Sequence, residues 1–295
     1  MAANLVQCVV VLYKQDPAQA HSLTSLLSIC HDDPAIASRL SITVHDNSPD
    51  PAPPERRRFL GNIDYWSTPH NPGLAVAYNR ALEIARSRDI PWLLTLDQDT
   101  VIDRNFLLRL LAALESDVPA NVCAFVPELV HGGIVLSPQI AGRVLYHRLP
   151  FGFYGIPERP VVAFNSASCL KVQAVAEIGG FPEAYWLDFL DHIVYYRLQA
   201  AGGRVWVLDA QLEHSLSSQN LESDMSTSRY ANVLAAEWRY VRDTNSTKGR
   251  LIHRVRLLKR TVLHALRLKN KQFAQLTLSA AMRLRFQHGP TRVNP

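Results

Sequence analysis

Two carboxylates stand where a hydrophobic run stops: Leu93-Leu94-Thr95-Leu96 is followed by Asp97-Gln98-Asp99. In extended backbone, side chains two apart point the same way, so Asp97 and Asp99 can face one hard divalent cation. Such an ion could bridge a diphosphate and neutralise a leaving group. An ordinary acidic turn has the same sequence, and the pair alone does not decide between the two. A second pair, Asp188 and Asp191, lies three apart at the entry to a predicted helix. A helix N-cap accounts for Asp188. Two carboxylates among Trp, Phe and Leu could also have a raised pKa suited to general-base work, and Asp191 stays open to that role. His214, just after a predicted strand, could offer an imidazole to a metal or be a hydrogen-bonded structural histidine. Asn71-Pro72-Gly73 could bring backbone to a phosphate at a helix N-terminus or be only a turn, since no GxGxxG or Walker-type loop occurs.

The elements that must hold these residues alternate. Val6–Tyr13 is a continuous apolar, β-branched run, as in a strand buried on both faces. Pro17 opens a predicted helix with Leu23, Leu26, Leu27 and Cys30 at helical spacing. Strands are predicted at Leu40–His45, Ile63–Trp66 and Trp92–Leu96, with helices over Ala75–Arg88 and Phe106–Glu115. The pattern predicts a mostly parallel sheet covered by helices, with ligand groups at the carboxyl ends of its strands. Shorter strands are predicted at Cys123–Pro127, Gly133–Leu136, Val161–Phe164 and Arg204–Leu208, and helices at Lys171–Ile178 and His192–Ala200. From Ser226 the chain reads as helical to about Gln287, after a polar linker at Ser215–Ser228. The expected division is a catalytic domain over 1–225 and a basic helical region over 226–295.

Charge is uneven along the 295 residues: 241–295 hold thirteen Lys/Arg and one acid, leaving an acidic body before them. A hydrophobic share of 47% and a charged share of 19% exclude global disorder. Cys8, Cys30, Cys123 and Cys169 are scattered without CxxC or CxxH, which argues against zinc or a disulfide framework. No apolar run reaches bilayer-spanning length and no signal segment is read, so a cytoplasmic protein is expected.

In order, VVVLYKQD, VHDNSP, HNPGLAVAYNRALEIA, LLTLDQDT, the stretch NSASCLKVQAVAEIGGFPEAYWLDFLDHIVYYRLQAAGGRVWVL and EHS resemble the family 2 inverting glycosyltransferases of GT-A fold, in their rhamnosyltransferase-like branch. The resemblance implies a Rossmann-like, mostly parallel α/β sheet flanked by helices. It places Asp46 against a uracil or thymine imide and Tyr13 in the nucleotide pocket, with Asn71, Gly73 and Asn79 shaping the pyrophosphate and ribose region. It makes Asp97 and Asp99 the metal-binding pair for Mg²⁺ or Mn²⁺, with Asp99 the preferred direct ligand and His214 completing the site. Asp191 becomes the general base, Asp188 its support or an acceptor contact, and Phe181 part of the acceptor-side loop. Two positions depart from the family pattern. His192, Ile193 and Val194 stand where a further acid often follows the base, and Arg80 stands where a glycine usually follows Asn79.

The expected activity is transfer of a sugar, L-rhamnose from dTDP-rhamnose, to a glycan or lipid-linked glycan acceptor of bacterial surface polysaccharide such as O-antigen or capsule. A UDP-hexose donor, galactofuranose or N-acetylglucosamine, is the alternative within the same chemistry. A non-catalytic polyanion-binding protein is the alternative from another class. Lys248–Lys271 mixes cations with Leu251, Ile252, Val255, Leu258, Val262, Leu266 and Phe273 near helical spacing, a stripe that could in part simply pack on the catalytic domain. That pattern suggests peripheral contact with the anionic inner face of the bacterial inner membrane. Nucleic acid is not an expected partner, because reader motifs and interleaved aromatics are missing. A homo-oligomer is left open.

Overall fold

The structure, a computed structural model, describes residues 4–141, 147–214 and 225–282. Strand β1 (Val6–Leu12) is buried at all seven positions, as a strand covered on both faces must be. It pairs in parallel with β2 (Leu40–Asp46) on one side and β4 (Trp92–Asp97) on the other. Strand β3 (Asp64–Ser67) extends the parallel edge beyond β2. Next to β4 comes β10 (Ser168–Lys171), antiparallel both to it and to β5 (Val122–His131). Strand β11 (Arg204–Glu213) runs parallel to β5, and β6 (Ile134–Ser137) pairs antiparallel with β5. The eight-stranded sheet therefore has the order β11-β5-β10-β4-β1-β2-β3, with β6 off β5. A small antiparallel sheet joins β7 (Gln139–Ile140) to β8 (His147–Arg148) and β9 (Val161–Val162).

Alternate residues of β1 (Val6, Cys8, Val10 and Leu12) enter one core cluster with residues of α1 (His21–Asp32) and α4 (Arg104–Glu115). Helix α3 (Leu74–Ser87) packs on β1 and β4 and meets α5 (Val172–Glu177), which meets α6 (Leu190–Ala200). Asp103 caps α4 by accepting Phe106 N–H at 2.6 Å, and Asp33 caps the short α2 (Pro34–Ala37). Cys8, Cys123 and Cys169 are buried and Cys30 half-buried, all as free thiols. Burial holds the Cys123 thiol up at about 11, so it is an inert core group.

The chain divides into two compact units, Met1–Ser215 and Leu216–Pro295. The expected linker falls largely outside the described residues. In the second unit the single predicted helical stretch is three helices: α7 (Thr227–Thr244), α8 (Thr247–Arg267) and α9 (Gln272–Met282). Ser226 caps α7 and Ser246 caps α8 through their side-chain oxygens, which explains the break at Asn245. The stretch from 283 to 287, expected to continue the helix, lies outside the described residues. Among the described residues no helix is long and apolar enough to cross a membrane.

Candidate active site at the carboxyl ends of the parallel strands

Parallel register brings three strand ends level: Leu12 faces Asp46, and Val11 faces Asp97. The loops after these strands then knit together. Tyr13 N–H donates to Gln98 Oε1 at 2.8 Å, and Lys14 N–H donates to Ser48 Oγ at 2.7 Å. Gln98, between the two carboxylates, therefore ties the β4 loop to the residue expected in the nucleotide pocket.

Asp46 is buried and anchors its own loop. Its Oδ1 accepts Ser48 N–H at 2.8 Å, while Oδ2 accepts Ala52 N–H at 3.3 Å and a short bond from the Tyr65 hydroxyl. A carboxylate offers about four acceptor sites. Three are thus engaged within the protein before any base is considered. Arg57 lies over the Tyr65 ring, 4.2 Å from its centroid.

Asn71 and Gly73 are fixed by Trp186. The Trp186 indole N–H donates to Asn71 O at 3.0 Å, and Leu74 N–H, the first amide of α3, donates to Trp186 O at 2.9 Å. Gly73 has φ +97°, and a Cβ there would overlap Trp186 O and come 2.5 Å from its Cδ1, so only glycine fits. The Asn79 amide is turned the other way: Nδ2 donates to Phe181 O and Oδ1 accepts Phe181 N–H, each at 2.8 Å. Asn79 thereby holds the loop at Phe181, and both ends of its amide are engaged there. Arg80 stacks on Trp66, 4.1 Å from the ring centroid.

The carboxylates influence one another. Asp97 accepts the buried Tyr78 hydroxyl at 3.2 Å. Burial pushes its carboxyl up to about 7, with the charges of Asp99 and Asp191 adding to the rise and the Tyr78 bond opposing it. All three carboxylates likewise hold the Tyr78 hydroxyl above its ordinary range, after burial itself. Asp191 thus lies within electrostatic reach of the strand-end pair. Asp191 sits in the first turn of α6 and its Oδ1 takes two contacts from His192, the backbone N–H at 2.8 Å and ring Nδ1 at 2.7 Å. The N-cap of α6 is Phe189, left-handed at φ 61° and without a side-chain cap bond, so the expected capping role of Asp188 is not formed.

His214 bridges to Thr100, whose hydroxyl lies 2.9 Å from His214 Nδ1 and 2.5 Å from Ser166 Oγ. Burial holds the imidazole below its ordinary pKa, partly offset by the Asp99 charge, which favours the neutral ring. As they stand, the described residues contain no group of three His, Cys, Asp or Glu able to hold a metal ion, so Asp97, Asp99 and His214 are not a ready-made three-ligand set. Asp99 Oδ1 is nonetheless buried without a hydrogen-bond partner. A buried, unsatisfied carboxylate oxygen beside a second carboxylate fits a hard cation of the kind held by one or two carboxylates with substrate phosphates. Tyr78 and Thr100 have no mark in the sequence that assigns them to this region, and the bonds made by Gln98, Trp186 and His192 are not written in their spacing. His192 carried a signal, standing beside Asp191 where an acid was expected.

The sheet order and its strand-end carboxylates define an α/β domain of GT-A type. Residues 10–150 match the model of the family described as Glycosyl transferase family 2. No curated protein sequence matches the chain. Among solved structures, TarS 1–349 of S. aureus is 16% identical, with 94% of this chain and 82% of that chain covered at a TM-score of 0.55. The same protein in complex with UDP-GlcNAc is 15% identical, with 94% and 81% covered at 0.56. The mannosyltransferase PcManGT from Pyrobaculum calidifontis, in complex with GDP-Man and Mn²⁺, is 15% identical, with 94% and 74% covered at 0.56. At such identities the likeness is one of fold. The family match spans residues 10–150, somewhat less than half of the chain.

Proposed function

We propose that this chain is an inverting glycosyltransferase that moves a hexosyl group from a nucleotide sugar to a hydroxyl of a glycan or lipid-linked glycan. The observation that carries this reading is the Tyr78 hydroxyl bonded to Asp97 at 3.2 Å, a pair whose protonation also feels the charges of Asp99, just past β4, and of Asp191 on α6. Asp191, oriented by His192, accepts the proton of the acceptor hydroxyl as its oxygen bonds to the anomeric carbon. The bond from that carbon to the diphosphate breaks on the opposite face, and the nucleoside diphosphate leaves with the electron pair. Asp99, with Asp97 beside it and His214 nearby, would hold Mg²⁺ or Mn²⁺. When bound, such an ion neutralises charge on the diphosphate. Tyr13 and Asp46 would border the base, and Asn71 and Gly73 the pyrophosphate, with Asp188 on the acceptor side.

For the donor we favour dTDP-rhamnose, on the resemblance carried by the ordered motifs, with a UDP-hexose as the second reading. The UDP-GlcNAc and GDP-Man carried by the two structural neighbours are different nucleotides, so the fold does not choose among them. Thermal-shift measurements with dTDP-rhamnose, UDP-sugars and GDP-sugars, each with and without Mn²⁺, test the proposal. Stabilisation by a nucleotide sugar that deepens with Mn²⁺ is expected. A protein that no nucleotide sugar stabilises would overturn it.

A further inference from the structure

Helix α8 shows two different faces. One packs within its own unit: His253 and Leu257 are buried, the His253 ring stands 4.9 Å from that of Trp238, and Arg260 forms a two-pronged pair with Glu237 at 2.7 and 2.9 Å. The other face is apolar and open. Leu251, Val255, Leu258, Val262 and Leu266 are 43–76% exposed. At helical pitch these five fall within an arc of about 80°. An apolar stripe at this spacing ordinarily meets a core, yet the core-facing side of α8 is already supplied by other residues.

Cations border the stripe. Lys248 and Lys259 lie along one edge, and Arg250 and Arg254 along the other, by their helical positions. The helix has seven Lys/Arg and no Asp or Glu. A second copy docked face to face would set these like charges against each other. A nucleic acid would satisfy the cations but leave the aliphatic stripe against phosphate and sugar, with no aromatic on it for a base to stack on. A bilayer with anionic head groups matches both features, since apolar side chains enter the interface while Lys and Arg reach the phosphates.

We propose that α8 lies flat on an anionic lipid surface, with Leu251, Val255, Leu258, Val262 and Leu266 seated below the head groups. This inference is independent of the strand-end site, because it is read with neither donor nor acceptor present. The experiment is co-sedimentation of the full chain with vesicles of phosphatidylcholine, with and without phosphatidylglycerol. Binding is expected only, or far more strongly, with phosphatidylglycerol. The double variant Leu258→Gln/Val262→Gln should weaken it by about tenfold or more, and Lys248→Gln/Lys259→Gln should lower the preference for the anionic lipid. Leu266→Gln serves as a milder apolar variant, and unchanged thermal melts establish that each variant is folded. No binding by the wild type, or equal binding by the Gln variants of the apolar face, would overturn the proposal. So would a wild-type dimer that Leu258→Gln/Val262→Gln converts to monomer, because a second copy would then be the occupant.

Discussion

His192 grips the carboxylate of the residue before it: ring Nδ1 lies 2.7 Å from Asp191 Oδ1, and the His192 backbone N–H donates to the same oxygen at 2.8 Å. Both contacts fall on one oxygen, so the direction of the other is set as well. His192 can thus orient the Asp191 carboxylate without adding negative charge beside it.

Removing the charge of Asp191, the proposed base, while keeping its shape should separate binding from chemistry. Asp191→Asn is expected to retain donor-induced stabilisation while turnover falls by about 10²–10⁴-fold. Donor thermal shift and product formation, measured on the same preparation, check this; near-normal turnover would exclude Asp191 as the base.

His45 gives the fold an acid-sensitive point beside Asp46. It is buried, its Nε2 is 2.6 Å from Thr68 Oγ1, and burial lowers it to about 4, aided by the Arg80 charge and opposed by that of Asp46. Between the ordinary histidine value and about 4, the unfolded chain binds a proton that the folded chain refuses. This site's stabilising contribution is therefore complete above that window and is lost as the pH falls through it, amounting to at most about 3 kcal/mol. Denaturant titrations from neutral to acid pH should show this slope in the wild type and a shallower one in His45→Gln. Parallel slopes would discard the assignment.

Asp97 has the opposite sign. Its carboxyl sits at about 7 instead of 3.8, so the folded state is penalised progressively as the pH rises between those values, and fully above them. Asp97→Asn should raise stability by at most about 4 kcal/mol above neutrality and leave it unchanged in acid, while abolishing turnover. Melting at two pH values with an activity assay checks the trade. A variant less stable at alkaline pH would show that the charge is compensated in the native protein.

Gly73 tests the join between the two loops. Gly73→Ala should destabilise by about 2–3 kcal/mol and weaken donor binding, because its methyl must displace Trp186 and with it the carbonyl that holds Leu74 N–H. Gly61→Ala is the comparison, since it also has positive φ (57°) but nothing within 4 Å of the added carbon. Equal losses at both positions would remove the role given to Trp186.

The parallel half of the sheet was legible because its strands are unbroken buried runs, and β1, β2 and β4 end within a residue of their predicted limits. Strand β10 was not, being four residues that begin with a serine and pass directly into α5, with partners far away in sequence. Pro17 opens a short 3₁₀ turn, Pro17–Gln19, and α1 begins only at His21. The carboxylates of Asp97, Asp99, Asp188 and Asp191 stood out by residue type and spacing. Their partners did not, because Tyr78–Asp97, Trp186–Asn71 and Asn79–Phe181 are bonds between distant segments that no local pattern announces. The Asp188 cap failed for a backbone reason, since the left-handed turn at Phe189 moves the helix start past it.

The place of β10 governs the order in which the chain can close as it leaves the ribosome. Strands β1 to β4 are complete once Asp97 has emerged, and they can pair with one another at once. Strand β5 has no pairing with β4 and joins the sheet through β10, so its synthesis does not cover that flank. Until Ser168–Lys171 arrives, the nascent chain carries Trp92–Asp97 as an open, apolar strand edge, the kind of edge that invites pairing with a wrong neighbour. Translation of the roughly seventy residues between them is the interval in which a delay would most endanger this protein.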